Sequence, residues 1–206
     1  TGMVAARAYT RNEEVFHSIS HGIGSLLGVI GTTIMITVST LFYGTRAVVS
    51  SSIYGASLIL LFTMSTLYHA IPFPKAKRVL QILDHDSIYL LIAGTYTPIT
   101  LISLRDSPRG IPILAAVWGA AILGTVLNAV DIHKYKKVSM ILYVIMGGAV
   151  LWDIRAVMHS LGTNGFALLL AGGISYTVGI VFSKMKRIPF MHGVWHLFVV
   201  LGSVLH

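Results

Sequence analysis

The sequence predicts an all-α, polytopic membrane protein, a bundle of seven transmembrane helices. Of its 206 residues 55% are hydrophobic and only 11% are charged, and the mean hydropathy is +0.80. Soluble domains carry about 25% charged residues, so a soluble class does not fit. The apolar residues also gather in seven segments, and a helix needs about 20 apolar residues to cross the hydrocarbon core. Seven spans use up the length, and we expect a single transmembrane domain over 1–206.

In chain order, the predicted spans cover 19–42, 51–71, 84–104, 111–130, 138–157, 165–183 and 189–206. Short connections separate them and contain nearly every Lys, Arg and Pro. Helices are the consistent form for these segments, because unpaired backbone groups cannot face hydrocarbon. The fifth span is the weakest, since Asp153 and Arg155 interrupt its end, and a local pair between them would account for both.

The distribution of basic residues predicts the orientation. Eleven of the fifteen lie on one side of the predicted bundle, in the N-terminal tail and in the connections after the second, fourth and sixth spans: Arg7, Arg11, Lys75, Lys77, Arg78, Lys134, Lys136, Lys137, Lys184, Lys186 and Arg187. By the positive-inside rule this side is cytoplasmic, so the N-terminus lies inside and the C-terminus outside. Topology in the membrane therefore accounts for the excess of basic residues behind the net charge of +8. Because this explanation is sufficient, we expect no nucleic-acid partner.

Polar side chains from three spans converge at the predicted cytoplasmic depth. The second span ends with Ser65 and His69, the third begins with Asp84, and the seventh begins with His192 and His196. Ionisable residues at membrane depth are costly and are therefore functional candidates.

The spacing of these residues predicts a metal site. His192 and His196 are four apart and share one helical face, and His69 would supply a third nitrogen. Asp84 would bind the metal directly or through a metal-bound water, and Ser65 lies one turn before His69. Zinc held by three protein ligands and a water is the open, catalytic form. Because the chain has no cysteine, His, Asp and Glu are the available ligands.

The first span offers a second possible ligand set. His17 and His21 are also four apart and follow Glu13 and Glu14. We expect Glu13, Glu14 and His17 to cap the helix or to contact lipid headgroups, because acidic residues favour a helix N-terminus. His21 is a candidate for the surroundings of the metal. His85 and Asp86, next to Asp84, point about 100° and 200° away around the helix.

The combined motifs resemble the progestin and adipoQ receptor family, and in particular its bacterial haemolysin-III-like branch. They are the segment from Glu13 to Gly24, Ser65-x3-His69, Leu83-Asp84, Gly94-Thr95-Tyr96-Thr97-Pro98 and His192-x3-His196. The resemblance covers nearly the whole chain and implies a multi-pass protein of the bacterial plasma membrane. It also implies a Zn²⁺ ion in the inner leaflet, held by His69, His192 and His196, with Asp84 touching the zinc or its water. One departure is His17, where the family pattern favours a small polar residue such as Asn.

A more distant similarity to alkaline ceramidases favours one function over its alternatives. The leading hypothesis is a zinc-dependent hydrolase of a membrane lipid amide, with Asp84 and Ser65 as its catalytic residues. One alternative is a receptor-like or regulatory membrane protein with a structural zinc, and another is a haemolysin or pore-forming protein. The spans contain few charged residues, which argues against a wide channel. Membrane lipids are the expected partners in each case.

Overall fold

The computed structural model describes residues 9–206, and within them the chain is entirely helical, with no β-strand. Its α-helices are α1 Arg11–Phe42, α2 Thr45–Ala70, α3 Pro74–Pro98, α4 Gly110–Asp131, α5 Lys136–Gly148, α6 Ile154–Lys184 and α7 Met191–Leu205. A π-helical turn, Ile99–Ser103, continues α3, and a 3-10 turn, Ala149–Asp153, joins α5 to α6.

Two helices begin well before the apolar spans predicted for them. Helix α1 starts at Arg11 because Thr10 and Glu13 form a reciprocal capping box: the Glu13 N–H donates to Thr10 Oγ1 at 3.3 Å, and the Thr10 N–H donates to the Glu13 carboxylate at 2.9 Å. Helix α3 starts at Pro74, a residue suited to the first turn of a helix. The basic residues assigned to the preceding connection therefore lie in the first turns of α3: Lys75, Lys77 and Arg78.

Helix α6 contains a break at Gly162, whose φ of +63° and ψ of −178° are not helical. This φ lies in the left-handed region, which glycine adopts without steric cost. The break falls between the fifth and sixth predicted spans, where the sequence predicts a connection.

Four stretches are long and apolar enough to cross a membrane: Arg11–Phe42, Thr45–Ala70, Gly110–Asp131 and Lys136–Lys184. Helix α7 is apolar but has only 15 residues. Many large aliphatic side chains point outward, among them Leu26, Leu41, Ile122 and Val130. Lipid is the environment that suits such a surface. Arg7, one of the eleven basic residues on the predicted cytoplasmic side, lies outside the described residues.

Buried polar contacts connect the helices away from the predicted metal site. Asp86 on α3 accepts a hydrogen bond from Asn128 Nδ2 on α4 at 2.9 Å, and Asn128 Oδ1 accepts one from Ser139 on α5 at 2.7 Å.

The prediction that Asp153 pairs with Arg155 is wrong. Asp153 instead lies 3.5 Å from Arg109 Nη1 and accepts a hydrogen bond from Ser107, because the turn before α4 packs against it.

Candidate metal centre

Three helix ends bring the histidines together: the first turns of α1, the last turn of α2 and the first turns of α7. Glu13 joins two of them, since its Oε1 accepts a hydrogen bond from the Phe190 N–H at 3.0 Å, directly before α7. Gly193 then permits close packing, because a Cβ there would overlap the Phe16 ring and lie 3.1 Å from His17 Cδ2. A residue without a side chain at Gly193 therefore allows α1 to approach α7 at this depth.

The three histidines predicted to bind metal lie side by side. The ring centroids of His192 and His196 are 4.7 Å apart, as their spacing on one helical face implies. The centroid of His69 lies 5.4 Å from that of His192 and 5.2 Å from that of His196. The structure thus assembles on one side of α7 the imidazoles that the sequence placed at one depth.

His17 belongs to the same cluster. Its ring centroid lies 4.8 Å from that of His69, 4.9 Å from that of His192 and 5.3 Å from that of His196. The ligand atoms of His17, His69 and His192 lie within 4.8 Å of one another, and His196 is outside this set among the described residues. The structure differs here from the expected capping or headgroup role, because the His17 ring is fully buried. The spacing of His17 and His21 was the sequence signal, but spacing alone does not tell which way α1 faces.

Hydrogen bonds to Nδ1 orient two of the imidazoles. His69 Nδ1 and a carboxylate oxygen of Glu14 are 2.6 Å apart, and the other Glu14 oxygen accepts from Lys77 Nζ at 2.6 Å. His196 Nδ1 lies 3.1 Å from Ser20 Oγ and 3.2 Å from the His17 carbonyl oxygen. Metal-binding histidines typically use one nitrogen for such a partner and the other for the ion.

The remaining nitrogens fit a metal cation. Several buried ring nitrogens have no hydrogen-bond partner in the part of the chain that the structure describes: His69 Nε2, His196 Nε2 and both nitrogens of His17 and of His21. A buried polar atom without a partner carries a free-energy cost, which coordination would remove. Imidazole nitrogens are ligands for zinc, copper, iron and nickel, so the donor set is compatible with zinc without selecting it.

Asp84 and Ser65 lie beside this cluster. Both are buried, and Asp84 is close enough to His69 and Ser65 to interact electrostatically with them. The Ser65 hydroxyl makes no hydrogen bond to another described residue. Asp84 is outside the set of three mutually close ligand atoms, which is compatible with a role through water.

Asp86 points away from the cluster, as the helical geometry predicts, and is bound to Asn128 on α4. His85 stays close to Asp84: its Nδ1 lies 2.8 Å from the Gln81 carbonyl oxygen and 3.8 Å from Asp84 Oδ2. His133 and His159 are exposed and lie outside the cluster.

Further ring contacts surround the cluster. Tyr9 stacks on His192 with a centroid distance of 5.2 Å and meets His17 edge-on at 4.9 Å. On the other side, the His21 ring stacks on His196 at 3.6 Å. Tyr9 precedes the predicted first span, and no pattern in the sequence marked it as part of the site.

Comparison with known proteins agrees with the motifs. The sequence profile of the family described as "Haemolysin-III related" matches residues 9–206. The chain is 43% identical to Hemolysin-3 of Bacillus cereus over 193 residues, which cover 94% of this chain and 88% of the relative. It is 39% identical to the Hemolysin-3 homolog of Bacillus subtilis (strain 168) over 195 residues, covering 95% and 91%.

A human protein is also similar, at lower identity. Monocyte to macrophage differentiation factor of Homo sapiens is 31% identical over 165 residues, which cover 77% of this chain and 67% of the relative. The family profile therefore matches the chain from the capped start of α1 through the histidines of α7. With its apolar helices and its matching motifs, the chain is a membrane protein that belongs to the haemolysin-III-related family, within the progestin and adipoQ receptor proteins.

Proposed function

We propose that this protein is a zinc-dependent hydrolase that cleaves an amide of a membrane lipid, with its site in the cytoplasmic leaflet. The observation that carries the proposal is the convergence of His69, His192 and His196 with Asp84 and Ser65, all buried or half-buried at one end of the helices. Structural support for the metal comes from the oriented imidazoles, whose Nε2 atoms have no protein partner at His69 and His196.

The topology in this proposal has seven spans, with the N-terminus cytoplasmic. The break at Gly162 supports it, because it divides the 49-residue stretch Lys136–Lys184 into two segments. The basic residues at the start of α3 and after α6 support the orientation, since they lie at the same end as the imidazoles.

The residues beside the imidazoles suit amide hydrolysis. Zinc in a three-histidine site supplies a Lewis acid and a more acidic water. Asp84 would take a proton from the water that adds to the amide carbonyl carbon, and Ser65 would donate a hydrogen bond to the developing oxyanion. Asp84 would then return the proton to the amine as the carbon–nitrogen bond breaks. A lipid can reach this depth sideways, without a water-filled path for its acyl chain.

Purified protein tests both parts of the proposal. We expect about one zinc ion per chain by mass spectrometry, as for a single site, and release of fatty acid from a panel of ceramides and other acyl amides. His192→Ala should lose both zinc and turnover, whereas Asp84→Asn should keep the zinc and lose turnover. His133→Ala is the matched control, because His133 is exposed and distant from the cluster.

The outcomes separate the candidate functions. Turnover by the wild type no greater than that of His192→Ala would exclude the hydrolase. Stoichiometric zinc without turnover would favour the regulatory protein with a structural metal, a function that the fourth imidazole of His17 supports. Two relatives are named haemolysins, so lysis is the third function to measure. Release of a dye from liposomes only when the protein is present would favour lysis.

A further inference from the structure

Four imidazoles, from His17, His69, His192 and His196, form a nearly regular tetrahedron. The six distances between their ring centroids all fall between 4.7 and 5.4 Å. Three separate helices contribute these rings, so the regularity does not follow from the periodicity of any one of them. His21 lies outside this tetrahedron, because its ring contacts the ring of His196 and none of the other three.

The size of the tetrahedron matches a metal ion with four histidine ligands. Zinc binds a histidine nitrogen at about 2.0–2.1 Å, and the ring centroid lies about 1.1 Å farther out, which places each centroid about 3.2 Å from the metal. The edge of a tetrahedron is about 1.6 times the distance from its centre to a corner, so the expected centroid separation is about 5.2 Å. The observed range of centroid separations includes this value. The ligand atoms of His17, His69 and His192 already lie within 4.8 Å of one another, so His196 is the imidazole whose nitrogen must approach further to complete the shell.

His17 also has the chemistry of a ligand. Its ring is fully buried, and neither of its nitrogens has a hydrogen-bond partner among residues 9–206. The same is true of His21, so the place of His17 in the tetrahedron is what distinguishes it as a ligand. Burial without a partner is unfavourable for an imidazole, and a metal bond at one nitrogen would remove much of that cost. The bond between Glu13 and Phe190 and the absence of a side chain at Gly193 hold α1 where the ring reaches the cluster.

We propose that His17 is the fourth ligand of the metal, and that four imidazoles close its coordination shell in the resting protein. This inference rests on the proposed metal site but does not depend on hydrolysis. His17 then occupies the position that an open zinc site leaves for water. Among the described residues, His17 has no hydrogen-bond partner at its second nitrogen, whereas His69 has Glu14 and His196 has Ser20. Displacement of His17 would open a position at which a substrate or water can reach the metal.

Cobalt substitution tests the coordination number directly. The full chain is purified in detergent, loaded with Co²⁺ and titrated with azide, and the visible absorption spectrum is followed. We expect the wild type to give the spectrum of four-coordinate cobalt and to change little with azide. His17→Ala should open one position, so that its spectrum differs and shifts further as azide binds. His17→Asn serves the same purpose if the alanine variant fails to fold.

His206→Ala is the matched control, since His206 is a partly buried histidine at the other end of α7, where its Nε2 lies 3.0 Å from the Leu169 carbonyl oxygen. Its spectrum should stay insensitive to azide. An azide shift in the wild type equal to that of the His17 variants would overturn the inference, as would His17 variants with the wild-type spectrum. In both cases the metal centre itself would stand. Failure of the wild type to bind cobalt or zinc would instead overturn the metal centre and this inference together.

Discussion

Glu14 orients one of the imidazoles of the candidate metal centre from a neighbouring helix. Its two carboxylate oxygens contact His69 and Lys77, each at 2.6 Å. A carboxylate at Nδ1 fixes the tautomer that presents Nε2 outward and raises the basicity of that nitrogen. The orientation of His69 therefore depends on a residue from another helix.

Replacing Glu14 tests this dependence. Loss of an outer hydrogen-bond partner typically lowers metal affinity about 10–100-fold, and we expect a change of this size for Glu14→Gln. Competition with a chromophoric zinc chelator measures it. Asp106→Asn is the control, because Asp106 pairs only with its neighbour Arg105 in the described part of the chain and has a highly exposed side chain. Equal affinities of the Glu14 variant and the wild type would show that the carboxylate does not orient His69.

The sequence predicted some members of the cluster and missed others for a physical reason. The pairing of His192 with His196 follows from local helix geometry, which the sequence contains. His69 follows from its depth, which the basic residues reveal. The place of His17 depends on how α1 is rotated relative to α7, and contacts far apart in sequence, such as Glu13 with Phe190, decide that rotation.

At the scale of helices, the packing of α1 against α7 determines whether the cluster assembles. Gly193 lies at the contact, where a Cβ would overlap the Phe16 ring and approach His17.

The exact starts of the helices could not be predicted from the apolar runs alone. The apolar runs located the helices, but the start of α1 was set by the capping box of Thr10 and Glu13, eight residues before the predicted span begins.

Gly193→Ala should therefore separate the two helices. Adding a methyl group to a closely packed contact costs about 1–3 kcal/mol when its neighbours must shift. We expect weaker zinc binding and a lower melting temperature in a thermal shift assay. Gly173→Ala on α6 is the control, because nothing lies within 4 Å of a Cβ there. If both variants bind zinc like the wild type, the close approach at Gly193 is not needed for the site.

At the scale of the whole molecule, the orientation in the membrane decides which compartment the cluster faces. The imidazoles lie at the same end as Lys77, Lys184 and Lys186, and the positive-inside rule assigns that end to the cytoplasm. The described structure contains helices able to cross a membrane, and the number of crossings and their direction are predictions from the sequence.

Reporter fusions measure this topology. Alkaline phosphatase joined after His206 should be active and a green fluorescent protein at the same position should be dark, because an odd number of spans leaves the C-terminus outside. The same reporters inserted next to the exposed His133 should give the opposite result. Fluorescence of the C-terminal fusion would show that either the seven-span count or the orientation is wrong, and the reporter next to His133 would tell which, because only a reversed orientation moves His133 outside.

Helix α3 has little freedom to rotate about its own axis. Asp84 and Asp86 are two residues apart and so point in nearly opposite directions, one beside the imidazoles and one to Asn128 on α4. A rotation that moved the first carboxylate relative to the imidazoles would stretch the hydrogen bond made by the second. The direction in which Asp84 points is thus set by a contact on the opposite face of α3. A substitution at Asn128, which touches none of the histidines, would allow α3 to rotate and so move Asp84 relative to the imidazoles.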